Sequence, residues 1–426
     1  GGGCDSYNML APHSECPTVG NETSLRDQYD QIRLEVALVK NNNIILPGTE
    51  QPCEKFMLHN ELTTLTQLYN DADLLFFANT GVLTKQVDKS NWRDTNTQLF
   101  AHNTQQREAQ VVDPDEVFIG TGVLGRLRDE MSKLGHKTNA ISVDVSSIAL
   151  VGETGITSTQ NIINQNGIIP FNNWPLQPDM DSKILELNQG TKPDSGFFAE
   201  TWSSLLSDSL ASNQELSDAL AASDTTEEFP ATQLGRKLSI ISRMIGTRET
   251  RGVTRDVFFA SIGGFDTHSD VAMHLENRFR EVDGAINAFA NELKSMGMWN
   301  NVVTIETSDF ARTLSPNGGA GTDHAWGGNY FMFGGAVNGG RILGDYPGDI
   351  QESGPLNLGR GRLIATTGWD AVWHGIAEWY GVTDPDGIAK ICPNKDSFPT
   401  ESLFTADQLF VAGERRERKR NMFLRK

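Results

Sequence analysis

Three acidic or histidine features follow apolar runs along this chain. Asp266 and His268 stand in "GGFDTHSD" after the run "DVFFASIGG" (256–264). Ser308 and Asp309 close "NVVTIETSD" (301–309). Asp323 and His324 sit inside the glycine-rich "NGGAGTDHAWGG". A fourth feature, Asp5, comes shortly after Gly1-Gly2-Gly3. Hard divalent cations want clustered carboxylate oxygens, and zinc or iron also accept imidazole. Four such loops brought together would suit a metal-assisted hydrolase, in which the ion polarises a phosphoryl or sulfuryl oxygen or acidifies water. Each feature has a plainer reading. A strand-end aspartate more often caps a helix or turn, and Asp270 is read as such a cap. His324 beside Asp323 is also explicable as a satisfied structural histidine.

These residues need a scaffold that places strand ends side by side. "DLLFFANTG" (73–81), "TNAISVDV" (138–145), "DVFFASIGG", "NVVTIETSD" and "YFMFGGAV" (330–337) read as strands. Between the third and fourth lies "SDVAMHLENRFREVDGAINAFANELKSMG", apolar every three to four residues, which predicts a long helix. Strand, helix and strand make a right-handed crossover and imply a parallel sheet, with ligands beyond the carboxyl ends of its strands. "WDAVWHGIAEWYGV" (369–382) predicts an amphipathic helix ending at Gly381. Residues 151–195 read as loop, and 196–248 as two or three helices.

The chain has 426 residues, 38% hydrophobic and 21% charged, with a formal net charge of −19. This composition can bury a core, and the acidity argues against nucleic acid as the main partner. No stretch reaches the roughly 20 apolar residues of a membrane-spanning helix, and no signal peptide is present. The opening without Met leaves room for a leader already removed. Cys4, Cys16, Cys53 and Cys392 contain no CxxC pair, and their even number permits disulfides. With the Asn21 sequon, they point to a secreted protein, extracellular or periplasmic. The last twelve residues, "RRERKRNMFLRK", hold seven Lys or Arg and read as a solvated basic tail, a processing site or an anion contact.

Taken in order, "GGFDTHSD", "VVTIETSDFART", "GTDHAWGGNYFMFGGAVNGGRILGDYPG" and "GRLIATTGWDAVWHGIAEWYGV" resemble successive motifs of the family called domain of unknown function 1501. "GGGCDSYNMLAPH", "LHNELTTLTQLYNDADLLFFANTG" and "TGVLGRLRDEM" fit it as well. The resemblance covers nearly the whole chain and is weakest over 146–230. It implies a fold of the alkaline phosphatase and sulfatase kind: α/β, a central mostly parallel sheet flanked by helices, with a loop and helical insertion over 151–248. It further implies one domain over 1–412 followed by a basic tail over 413–426, and a first strand missing before Gly1. Transferred residue by residue, it gives Asp5, Asp266, His268, Asp309, Asp323 and His324 as metal ligands for Zn, Ca, Mg or Mn.

The chain departs from the wider superfamily in two places. Where sulfatases and phosphatases carry Asp-His after the strand matching "NVVTIETS", this chain has Asp309-Phe310. No cysteine stands in the Cys-x-Pro-x-Arg context of a sulfatase nucleophile. Ser90 matches the serine of the family's Arg-Ser-His-Phe stretch, with Lys89 and Asn91 as its neighbours. It is therefore a candidate nucleophile at a helix start, or else a plain helix cap. Arg312 could clamp an anion or pair with an acidic ligand. Gly120-x-Gly122-x-x-Gly125 with Asp144 mimics a dinucleotide fingerprint, but "VVDPDEVFIG" upstream is a poor buried strand. The expectation is an exported metal-dependent hydrolase acting on a small anionic phosphate or sulfate ester or a glycan. The alternative is a non-catalytic component of an extracellular assembly with a degenerate site.

Overall fold

The structure is a computed structural model of the chain. It describes residues 1–19, 23–95, 97–113, 120–153, 156–157, 160–168, 180–188 and 196–412. The Asn21 sequon and the 413–426 tail lie outside the described residues.

The chain opens with α1 (Ser6–Met9), β1 (Leu10–Ser14), β2 (Thr18–Val19), β3 (Thr23–Ser24), α2 (Leu25–Arg33), β4 (Ile44–Ile45) and β5 (Lys55–Leu58). Next come α3 (Thr63–Asn70), β6 (Leu74–Gly81), α4 (His102–Val111), α5 (Val123–Lys133), β7 (Thr138–Val143) and β8 (Asn161–Ile163). The helices α6 (Met180–Asn188), α7 (Gly196–Ala221) and α8 (Gln233–Gly246) precede β9 (Arg255–Ala260), α9 (Val271–Ser295) and β10 (Thr304–Ile305). The remainder is β11 (Gly328–Phe333), β12 (Arg341–Leu343), β13 (Thr367–Gly368), α10 (Trp369–Tyr380), α11 (Pro385–Ile391) and α12 (Ala406–Leu409).

The architecture is mixed α/β with several sheets. Strand β6 is buried at all eight positions, as an apolar run in the middle of a sheet must be. It pairs antiparallel with β11 and parallel with β12 and β13, and β11 pairs antiparallel with β10. A second sheet, β8-β7-β9, is parallel throughout. The central sheet is therefore not the mostly parallel one expected. The strand-helix-strand unit β9-α9-β10 exists, but β9 and β10 do not pair. Among the described residues β9 has only β7 beside it, and β10 only β11. Past the carboxyl ends of β9 and β10 the segment Gly1–Cys4 contacts both. The Gly1 ammonium donates to Ile262 O (2.6 Å), the Cys4 N–H donates to Ser308 Oγ (2.9 Å), and Cys4 bridges Ala311 in parallel.

Among the described residues two large apolar clusters and one small one, around Ala140, Leu150 and Val257, form the core. Of the large two, one gathers α8, α9 and the N-terminal elements, and the other surrounds α5 and α10. Cys16 and Cys53 form a disulfide, while Cys4 and Cys392 are buried thiols. Asp270 occupies the N-cap position of α9 but has φ +44° and makes no side-chain cap bond. The helix start is instead tied down by the glycine-rich loop, whose Gly319 and Ala320 carbonyls accept from the Asp270 and Val271 N–H groups. Ser90 does not open an α-helix. It lies in a turn before a short 3-10 turn, Trp92–Asp94, and donates its hydroxyl to Asp88 (2.6 Å).

Candidate metal centre

Three loops and one helix start converge at a single place. The turn after β9 brings Asp266 and His268. The segment after β10 brings Asp309, Phe310 and Arg312, and the glycine-rich loop before β11 brings Asp323 and His324. The first residue of α4 brings His102. The loops are sewn together by main-chain bonds: Thr322 N–H donates to Thr267 O, and Arg312 and His324 form an antiparallel bridge. The loop needs glycine at 321, because a Cβ there would lie 2.1 Å from the His268 carbonyl carbon.

The imidazoles share one pattern. His102 Nδ1 is 2.9 Å from Asp309 Oδ2, His268 Nδ1 is 3.2 Å from Asp323 Oδ1, and His324 Nδ1 is 2.9 Å from Phe100 O. Carboxylates and carbonyls only accept, so in the tautomer that donates to these partners each neutral ring carries its proton on Nδ1. All three Nε2 atoms are then lone pairs, and all three face Asp266 Oδ1, at 3.5, 3.0 and 3.4 Å for His102, His268 and His324. His268 Nε2 and His324 Nε2 are 3.1 Å apart, and His102 Nε2 is buried without a hydrogen-bond partner. Crowded lone pairs repel unless something positive lies among them. A proton joins two of them, whereas a metal cation joins all of them.

The spacing fits that role. Ligands about 2.0–2.1 Å from zinc in a tetrahedron lie roughly 3.3–3.4 Å from one another. Ligand atoms of His102, Asp266 and His324 all fall within 4.8 Å of one another, and His268 Nε2 lies beside them, 3.0 Å from Asp266 Oδ1 and 3.1 Å from His324 Nε2. Imidazoles anchored through the far nitrogen to a carboxylate or carbonyl are the usual outer arrangement of metal-binding histidines.

Charge reinforces the arrangement. Arg312, fully enclosed, donates to Asp266 Oδ1 (2.6 Å), to Gly2 O and to Thr322. Partial burial raises the Asp266 carboxyl, but the hydrogen bond and charge of Arg312, with His268 and His102, outweigh this and hold it below the ordinary carboxylate range. For Asp323, burial is likewise outweighed, here by bonds from Asn317, Arg360 and His268, and its pKa falls to about 2. Burial lowers the pKa of His324, aided by neighbouring His102 and Arg312 and opposed by its bond to Phe100 O. Its Nε2 is thus kept available as a lone pair. Phe310, buried, lies 4.7 Å from the ring centres of both His102 and His324. It packs two ligand candidates into position.

The structure therefore gathers Asp266, His268 and His324 at the centre and places Asp309 and Asp323 directly behind histidines. Arg312 supports Asp266 rather than pointing to open space. Asp5 lies elsewhere, in a fully enclosed pair with Arg33 (2.6 Å), and Ser90 has no hydrogen bond to the cluster. His102 is absent from the sequence reading. The one available signal was its position, two residues beyond Phe100 at the start of a helix.

The family described as "Protein of unknown function (DUF1501)" matches residues 2–353. Among curated proteins none matches the chain. A solved structure, described as the crystal structure of PsFucS1 sulfatase from Pseudoalteromonas sp., is 13% identical with a TM-score of 0.33, the match covering 81% of this chain and 64% of that one.

Proposed function

We propose that this chain, which belongs to the DUF1501 family, is a metal-dependent hydrolase of phosphate or sulfate esters, its cation held by His102, His268, His324 and Asp266. The observation that carries the reading is the convergence of three Nε2 atoms on Asp266 Oδ1, each ring tied down through Nδ1. Such an imidazole-rich set suits zinc or a similar transition cation better than calcium or magnesium, which prefer oxygen. When bound, the cation would supply Lewis acidity toward an ester oxygen and acidify water. His268 and Asp266 are the solvent-facing members, so an anionic ester would approach from their side, near the half-exposed Arg360. Ser90, bonded to Asp88, takes no covalent step. An exported protein is supported by the Cys16–Cys53 disulfide, since such bonds persist in oxidising compartments.

A second reading rests on the same four corners. Structural zinc sites are closed by four protein ligands, whereas catalytic sites leave one position open, so the set would equally suit a non-catalytic component of an extracellular assembly. Metal analysis of the purified chain, with rates on aryl phosphate, phosphodiester and aryl sulfate, separates the two. About one transition metal per chain and a rate abolished by His324→Ala is the expected result. Metal without any rate would favour the structural reading, and neither metal nor rate would sink both.

A further inference from the structure

The stretch "NLGRGR" (357–362) forms a turn beside the metal centre. Three successive residues in it have positive φ: Gly359 (+104°), Arg360 (+58°) and Gly361 (+72°). Glycine adopts this backbone freely, whereas an arginine there is uncommon and must be held by its surroundings. The buried Asn357 side chain accepts from the Gly359 and Gly361 N–H groups (2.9 and 3.1 Å) and donates to Ile350 O. The Arg360 and Gly361 carbonyls accept from the Ser315 and Leu314 N–H groups, which ties the turn to the segment carrying Arg312. A Cβ at Gly361 would lie 2.4 Å from Leu314 Cβ, so the turn closes only with glycine there.

Three arginines reach this centre, and they differ in what they can still bind. Arg312 is sealed in and occupied by Asp266, Gly2 and Thr322. Arg362 is partly buried, donates Nε to His324 O (3.0 Å) and lies 5.2 Å over the Phe100 ring. Arg360 is the exposed one, at 49% of its side chain, and its Nη2 donates to Asp323 Oδ2 (2.5 Å). Among the described residues its guanidinium makes no other bond. Asp323 in turn meets His268 at Nδ1, whereas a cation would be held by Nε2, on the other side of that ring. One carboxylate and one imidazole therefore separate the Arg360 fork from the atoms that would hold the cation, and Arg360 forms no ion pair with Asp266. Its other charged neighbours are Glu352, which turns Oε1 to the Arg360 N–H, and Lys89, whose Nζ is 3.5 Å from Glu352 O.

We infer, on the hydrolase reading of the centre, that Arg360 determines specificity, and that the substrate is an ester carrying a second anionic group, sulfate or carboxylate, beyond the one under attack. The ester oxygen goes to the cation. The second group goes to Arg360, whose planar fork matches two oxygens of an anion at once. Asp323 fixes the arginine through one nitrogen and leaves the rest of the fork to the ligand. The rigid turn holds the fork before the ligand arrives, so little ordering remains to be done on binding. In a chain of formal charge −19 most of the surface repels anions, which makes a fixed cation beside the centre a selective feature.

The test titrates the whole chain, with zinc in the buffer, by calorimetry against ethanesulfonate, propanedisulfonate and sulfobutanoate. None of these is hydrolysed, so the result does not depend on any rate. At least one two-headed anion is expected to bind about tenfold or more tighter than ethanesulfonate, and the one that gains more identifies the second group. Arg360→Gln should remove that gain while leaving ethanesulfonate and zinc binding within about twofold. Arg360→Lys, a point charge without the fork, should keep part of it. Arg280→Gln controls for lost surface charge and should change nothing, since Arg280 pairs with Glu61 and Glu276 on α9's outer side. No gain from a second group, a gain that survives Arg360→Gln, or equal loss of both kinds of ligand would overturn the inference. Tight two-headed binding without any ester rate would instead sink the hydrolase reading and leave Arg360 as an anion site.

Discussion

Two arginine–aspartate pairs in this molecule have the same length and opposite settings. Arg33–Asp5 and Arg312–Asp266 both close at 2.6 Å, and both arginines are fully enclosed. Asp5 is fully enclosed too, whereas the Asp266 side chain is 43% exposed. Arg33 also donates to the Thr313 and Leu314 carbonyls, so the inner pair braces the segment that carries Arg312. The outer pair presents one carboxylate oxygen to three imidazoles. The same charge pair therefore serves as a brace where both partners are sealed in, and as a platform for ligands where one partner faces outward.

Removing one partner of the sealed pair should have the largest effect. Arg33→Ala leaves Asp5 buried and alone, and should cost about 3–5 kcal/mol in chemical denaturation. A near-native midpoint would break the comparison. Asp266→Ala should do the reverse. The metal-free chain should lose only about 1–2 kcal/mol, while affinity for zinc, measured by calorimetric titration, should drop by more than the roughly 10–100-fold typical of an outer partner. Asp309→Asn and Asp323→Asn sharpen the distinction between ligand and support, each lowering zinc affinity about 10–100-fold without removing a proposed ligand.

The smallest effect is on pH dependence. The folded pKa of Asp323, about 2, lies below the unfolded value of about 3.9. Its contribution to stability is therefore present above pH ~3.9 and lost as pH falls toward 2. The stability gap between wild type and Asp323→Asn should close over that window in acid urea titrations. A gap unchanged from pH 5 to 2 would show that Asp323 is not held by its partners.

The sequence shows where its chemistry gathers better than which residue does what. Periodicity marks β6, β7, β9 and α9 because buried strands and long amphipathic helices write their burial directly into residue order. It cannot show that β9 and β10 fail to pair, since pairing depends on what lies between them. Asp266, His268 and His324 are visible because they follow strand runs in a shared order. His102 begins a helix well ahead of the others in the chain and carries no such mark. Asp309 and Asp323 look like ligands for the same reason that they make good supports, because a carboxylate facing an imidazole and one facing a cation have the same sequence signature. Asp5 differs from them only through Arg33, a partner 28 positions away.

Phe310 has a consequence for spectroscopy. Its ring lies against both His102 and His324, so the carbon-bound protons of those imidazoles sit within an aromatic ring current. Their proton resonances should be displaced from those of the histidines that lack this neighbour. Phe310→Leu should return them while leaving every polar group of the centre in place. The centre thus carries its own reporter, through which zinc or proton binding can be followed one histidine at a time, without a label and without a substrate.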